Sequence, residues 1–163
     1  MKTFEELYET YVDDVYRFAY WMCGNSAEAE DIASETFIRV WVGRHKIRTE
    51  TVKAYLLTIA RNLCLKGIQK RKRIVDLTDQ LPEPAPLPEK LVTLRSEVAQ
   101  LRTALATLPE VDRTALILHA QHKLPYAEIA RMLNLSLSAA KVKVYRARRK
   151  LMLLRAAELE TTP

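Results

Sequence analysis

The sequence predicts an all-α protein, built as two small helical domains joined by a proline-rich linker. Three observations carry that expectation. Glycine occurs only 3 times in 163 residues, too few for a turn-rich β-sandwich or for the phosphate loops of nucleotide-binding α/β folds. Apolar residues recur at three- and four-residue steps, and no segment holds a sustained two-residue alternation. Four of the 7 prolines, Pro82, Pro84, Pro86 and Pro88, crowd into the stretch LPEPAPLPE at 81–89. Proline removes backbone donors and blocks helix continuation, so this stretch is expected to be extended and to act as a spacer. It divides the chain into domains 1–75 and 94–163, with 76–93 as the linker. Each half is just long enough to fold about its own core, and a hydrophobic content of 48% supplies one.

The elements follow in order. Thr3 and Glu6 have capping-box spacing and open a helix whose apolar stripe is Phe4, Leu7, Tyr8, Tyr11, Val15, Phe18, Ala19 and Met22. Gly24 ends it, and Asn25 or Ser26 caps the next, which carries Ala29, Ile32, Ala33, Phe37, Val40 and Trp41 on one face and stops at Gly43. A polar basic loop at 44–50 precedes a third helix from about Thr51 to Arg73, with Leu56, Ile59, Ala60 and Leu63 inward. After the spacer, Leu94, Val98, Leu101, Leu105 and Leu108 predict a helix stopped by Pro109. Ala115, Leu116 and Leu118 continue in a helix that ends near His122. A short helix at 126–133, a turn at 134–137 and a long helix from Ser138 to about Arg155 complete the chain.

Charge alternates in blocks. Residues 1–43 carry net −6, 44–75 net +9, 76–112 net −4 and 113–163 net +7. Two separated basic blocks suit two places on a polyanion, because each neutralised phosphate releases counterions. The acidic first block would repel nucleic acid and suits a basic protein surface. Cys23 and Cys64 lack the spacing of a zinc site or a disulfide framework and are expected as small buried thiols in a reducing cytosol. His119 and His122 have no acid or cysteine near them in sequence, so packing is expected rather than metal binding. The start MKTFEELYETY is acidic, not signal-like, and no apolar run nears the roughly 18 residues of a spanning helix. The expectation is a cytoplasmic protein without membrane insertion, cofactor or catalytic constellation.

The segment LPYAEIARMLNLSLSAAKVKVYRARRKL reads as a helix-turn-helix. Ala130 is the small residue needed where the second helix crosses the first, and Asn134 tolerates the left-handed backbone of the turn. Ser138 is placed as the cap of the second helix. Ala140, Val144, Ala147, Leu151 and Leu154 form its buried seam, while Lys141, Lys143, Tyr145, Arg146, Arg148, Arg149 and Lys150 lie off it. Inserted into a major groove, this helix would turn Ser138, Ala139, Lys141 and Val142 toward base edges and hold phosphates with the later arginines.

At these residues the chain resembles the extracytoplasmic-function (ECF) sigma factors of the sigma-70 family. TALATLPEVDRTALILHAQHKLPYAEIARMLNLSLSAAKVKVYRARRKL is similar to sigma region 4, and YVDDVYRFAYWMCGNSAEAEDIASETFIRVW with AYLLTIARNLCLKGIQKRKR is similar to region 2. The resemblance implies no enzyme activity. It implies a factor that binds core RNA polymerase through the β′ clamp and β flap, directs it to promoters and assists duplex opening, under the control of an anti-sigma factor. Carried onto this sequence, Asp31, Glu35 and Arg39 are the implied clamp contacts. Lys53, Arg61, Asn62 and Lys66 would line the unstacked −10 strand, and Lys70, Arg71 and Arg73 would hold its backbone. Ser138, Ala139, Lys141, Val142, Lys143, Tyr145, Arg146 and Arg149 would read the −35 duplex. The family usually has tryptophan at Tyr55 and aspartate at Lys66, so a shifted promoter preference is expected. It usually has glutamine at Ser34, which alters one clamp contact, and Gly-Thr-Val at Ser138-Ala139-Ala140, where a threonine hydroxyl is lost near the DNA backbone.

A second reading of the residues is a helix-turn-helix repressor or activator with an N-terminal sensing or dimerisation domain. A third is an RNA-binding or antitermination protein. Neither needs the acidic helix from Glu28 to Glu35.

Overall fold

A computed structural model describes residues 3–43, 51–77 and 89–161. Among them lie seven α-helices and no strand. The proline run at 81–88 and the basic loop at 44–50 fall outside the described residues.

Helix α1 (Phe4–Cys23) opens with the full capping box. Thr3 Oγ1 accepts the Glu6 amide at 3.2 Å, and the Thr3 amide donates to Glu6 Oε2 at 3.0 Å. Gly24 ends it in the left-handed region, φ 71°, which glycine adopts without steric cost. Asn25 takes the capping role for α2 (Ser26–Val42), its Oδ1 accepting the Glu28 amide at 3.1 Å. Thr51 Oγ1 accepts the Ala54 amide at 3.2 Å and starts α3 (Val52–Leu77). These three helices pack on one another around Val15, Phe18, Ala19, Met22, Ala29, Ile32, Ala33, Phe37, Val40, Leu56, Ala60 and Cys64.

Three details of the expected core change. Trp41 is half exposed, its ring set edge-on to Phe4 with centroids 4.9 Å apart, so it rims the core. Thr36 is fully buried, because its hydroxyl is satisfied by the Ile32 carbonyl at 2.6 Å one turn back. On α3, Leu57 is fully buried while Ile59 and Leu63 are half-buried. Leu57 shares a helix face with Lys53 and Arg61, and that face meets the second half of the chain.

The second half comprises α4 (Glu89–Ala106), α5 (Glu110–Ala120), α6 (Tyr126–Leu133) and α7 (Leu137–Thr161). Helix α4 begins five residues ahead of the expected apolar stripe, directly after the last proline of the run, where nothing in the sequence blocks a helix. Val98 and Leu101 of its stripe stay largely exposed, whereas Leu105 and Leu108 are buried with Ala115, Leu116, Ile117, Leu118, Leu124, Ile129, Ala140, Val144 and Ala147. Helix α1 packs against α4 and α5, and α3 touches α6, so the buried side chains of both halves form one connected cluster. No helix among the described residues is long and apolar enough to cross a membrane.

Candidate nucleic-acid interface

The helix-turn-helix forms as its residues dictate. Ala130 is buried at the crossing, and Asn134 sits at φ 55°, ψ 49°, closing α6. The Leu135 amide donates to the Ala130 carbonyl at 2.8 Å, which fixes the turn. The cap of α7 is Ser136, not Ser138. Ser136 Oγ accepts the Ala139 amide at 3.1 Å, and Ser138 falls inside the first turn. The helix starts two residues early because Ser136 meets the same capping requirement and lies directly after the turn.

Ala140, Val144 and Ala147 form the buried seam of α7, with Leu151 and Leu154 half-buried beyond it. Ser138, Lys141, Val142, Tyr145, Arg146 and Arg149 are exposed together, and Ala139 is half-buried beside them. Lys141 Nζ lies 6.0 Å from the Tyr126 ring centroid. Lys143 points elsewhere. Its Nζ is 3.3 Å from the buried Asp112 carboxylate, an ion pair that clamps α7 to α5. Lys150 likewise donates to the Thr107 carbonyl at 3.0 Å. The first turn of α7 presents backbone N–H groups beside the exposed cations, an arrangement that attracts phosphate.

On α3 the expected strand-contacting residues separate into three sets. Asn62, Lys66, Lys70 and Arg73 repeat at three- and four-residue steps on an exposed face. Arg71 turns toward α2, its Nη1 at 2.7 Å from Glu28 Oε2. Gly67 makes room for that pairing, since a Cβ there would lie 2.9 Å from Glu28 Oε1. Arg61 faces α5, and Lys53 faces the segment that follows it. Lys53 Nζ donates to the His122 carbonyl at 3.2 Å and lies 3.9 Å from Asp14. Arg61 makes a two-pronged pair with Glu110, Nε to Oε1 at 3.0 Å and Nη2 to Oε2 at 3.1 Å.

The outer face of α2 has a different character. Asp31, Glu35 and Arg39 lie four residues apart in one row, with Arg39 Nε 3.2 Å from Glu35 Oε1. Ser34, Ile38 and Val42 stand exposed beside them, Val42 at 73%. An acidic row flanked by aliphatic side chains suits a basic protein surface with an apolar centre and repels nucleic acid.

Both histidines are held by packing. His119 stacks on Tyr126 with centroids 4.4 Å apart, its Nε2 3.2 Å from the phenol oxygen. His122 is buried against Phe18, its Nδ1 3.9 Å from Asp14. Burial holds its imidazole down at about 4, nearby Lys53 adding to the effect and Asp14 opposing it. Among the described residues no cluster of three or more His, Cys, Asp or Glu is placed to hold a metal. Cys64 is buried as expected, but Cys23 is only half-buried. A hydrogen bond from Cys64 lowers the Cys23 thiol below its usual range and, with burial, raises that of Cys64.

Residues 7–74 match the family described as Sigma-70 region 2, and residues 99–151 match Sigma-70 region 4. Over 156 residues the chain is 31% identical to the ECF RNA polymerase sigma factor SigM of Bacillus subtilis, covering 93% of this chain and 94% of that protein. It is 33% identical to the ECF RNA polymerase sigma factor SigE of Mycolicibacterium smegmatis over 93% of its own length, spanning 61% of that relative. The fold is similar to that of the sigma factor RpoE in its co-crystal structure with the anti-sigma factor NepR from Bartonella quintana. That likeness has a TM-score of 0.77 and 25% identity and covers 100% of both chains. Two helical domains, the second ending in a helix-turn-helix, thus define a transcription initiation factor of the sigma-70 type and not an enzyme. Within that type, the chain belongs to the ECF sigma factors.

Proposed function

We propose that this chain directs core RNA polymerase to promoters and assists duplex opening. Region 2, within 1–75, would dock on the β′ clamp through Asp31, Glu35 and Arg39. It would follow the −10 strand with Asn62, Lys66, Lys70 and Arg73, joined by Lys53, Arg61 and Arg71 once those side chains leave their present partners. Region 4, within 94–163, would meet the β flap and read the −35 duplex with the exposed face of α7 from Ser138 to Arg149. The expected linker 76–93, less the ends taken up by α3 and α4, would span the distance between them, at about 3.1 Å per residue where extended. An anti-sigma factor is the expected regulator, in line with the RpoE–NepR pair to which the fold is similar. The chain would act in the cytoplasm.

The observation that carries this reading is the separation of surfaces. An acidic-aliphatic row on α2 and two exposed basic faces on α3 and α7 belong to one short chain that matches both sigma regions. The repressor reading is not favoured, because residues 7–74 match sigma region 2.

Run-off transcription with purified core polymerase and mapped start sites tests the assignment. Asp31→Ala with Glu35→Ala should lower affinity for core enzyme about tenfold or more. Lys141→Ala and Arg146→Ala should spare that affinity and weaken duplex binding, and Arg146→Ala, as a phosphate contact, should also lower the salt slope by about 0.9. Equal loss of polymerase binding in both sets would refute the division of surfaces.

A further inference from the structure

The face of α3 that carries Lys53, Leu57 and Arg61 is covered by the second half of the chain. Among the described residues, the polar contacts between the halves include three clasps made by arginine or lysine. Arg61 is held by Glu110, Lys53 by the His122 carbonyl, and Arg102 donates from Nη1 to the Gly24 carbonyl at 2.6 Å. The Arg61–Glu110 clasp is the most organised of the three. Both side chains are mostly buried, at 17% and 27% exposure, so the pair is shielded from competing water and salt. Thr114, fully buried, shares its hydroxyl proton between Glu110 Oε1 at 2.8 Å and the Glu110 carbonyl at 2.9 Å, which sets it against the carboxylate.

A guanidinium offers paired N–H donors that match two oxygens of a carboxylate or two oxygens of a phosphate equally well. The Nε and Nη2 donors that Glu110 engages cannot pair with a phosphate at the same time. We infer that Glu110 is a built-in latch, its carboxylate occupying on Arg61 the place a nucleic-acid phosphate would take and so holding the two halves closed over the strand-binding face. This rests on the reading of Arg61 as a strand contact. Opening separates α5 from α3 and frees Arg61 and Lys53 together. Thr114 acts as a positioning residue for the latch. Nucleic acid binds the open form, so its apparent affinity is reduced by the fraction of molecules that are open.

The test uses the full chain with a fluorescein-labelled, mixed-sequence single-stranded DNA as probe. Anisotropy titration reads affinity, small-angle X-ray scattering reads closure, and circular dichroism confirms that each variant is folded. Glu110→Gln keeps the shape and removes the charge. It should raise the radius of gyration and tighten DNA binding about fivefold or more. Arg102→Ala cuts a different clasp, at a residue not itself assigned to DNA, and should act in the same direction. Adding Arg61→Ala to Glu110→Gln should abolish the gain in affinity while the chain stays open. Unchanged closure and affinity in both Glu110→Gln and Arg102→Ala would overturn the latch. Opening without tighter binding would also overturn it, because Glu110 would then not be competing with nucleic acid. Run-off transcription by the unaltered chain is scored separately and reports on the sigma assignment alone.

Discussion

Helices α3 and α7 are the two strongly basic helices of this protein, and they present their charge differently. On α7 a single narrow seam, Ala140, Val144 and Ala147, is buried, and Lys141, Tyr145, Arg146 and Arg149 remain outside it. On α3 two faces are covered. Leu56, Ala60 and Cys64 pack within the first three helices, and Leu57 is buried on the side that faces the second half of the chain, between Lys53 and Arg61. The two helices therefore differ in the number of neighbours, not in composition. A cation on an amphipathic helix is open to nucleic acid only where no distant segment claims the same face. On α7 that condition holds for every assigned cation except Lys143, which Asp112 claims.

The largest expected effect removes the apolar centre of the second α3 face. Leu57→Ala should cost about 2–5 kcal/mol in urea unfolding, the usual range for a buried leucine whose site collapses only in part. Tyr145→Ala on the exposed face of α7 should stay within about 0.5 kcal/mol. Comparable losses at the two positions would break the distinction between a covered and an open basic helix.

A smaller effect comes from His122, whose ring lies between the halves with both nitrogens lacking a hydrogen-bond partner. The groups around it are Asp14 and Arg17 from α1, Lys53 from α3 and the Phe18 ring. Its folded value is about 4 against an ordinary 6.5. The sign follows from that depression. The closed packing keeps its full stability above the ordinary value and loses it as pH falls through the interval toward the folded value. Between pH 7 and 5.5 the balance should move roughly eightfold toward an open or unfolded form that accepts the proton. Thermal melts and scattering across this range read the shift, and His122→Gln should flatten it. A slope unchanged in that variant would assign the titration to another group.

The parts of the molecule that were legible in the sequence are those set by local chemistry. The capping box at Thr3, the left-handed Gly24 and Asn134 and the seam of α7 each depend on residues within a turn or two of one another. Lys123 also takes a left-handed backbone, φ 56°, but lysine carries no local signal for it, unlike asparagine. The clasps between the halves were not legible. Arg61 and Glu110 are 49 residues apart and Arg102 and Gly24 are 78 apart, and no periodicity relates such pairs. The charge blocks mark 76–112 as acidic, yet the pairing of Glu110 with Arg61 exists only where the fold brings α5 to α3. The same blindness applies to Arg71, which reads as a phosphate contact in the run QKRKR and in the fold reaches Glu28.

The smallest effect concerns the entry to α7, where two serines two residues apart compete for one role. Ser136 accepts the Ala139 amide, so Ser136→Ala leaves an N-terminal donor of the helix without its side-chain partner and should cost about 1 kcal/mol. Ser138 lies one step inside the first turn with its side chain exposed, and Ser138→Ala should change stability by less than about 0.5 kcal/mol. The order should reverse in duplex binding, where Ser138 stands on the outer face with Lys141 and Val142 while Ser136 is occupied with the backbone. Thermal melts and duplex titrations on the two variants separate the roles. A lower melting temperature for Ser138→Ala than for Ser136→Ala would place the cap at Ser138 and withdraw Ser138 from the outer face shared with Lys141 and Val142.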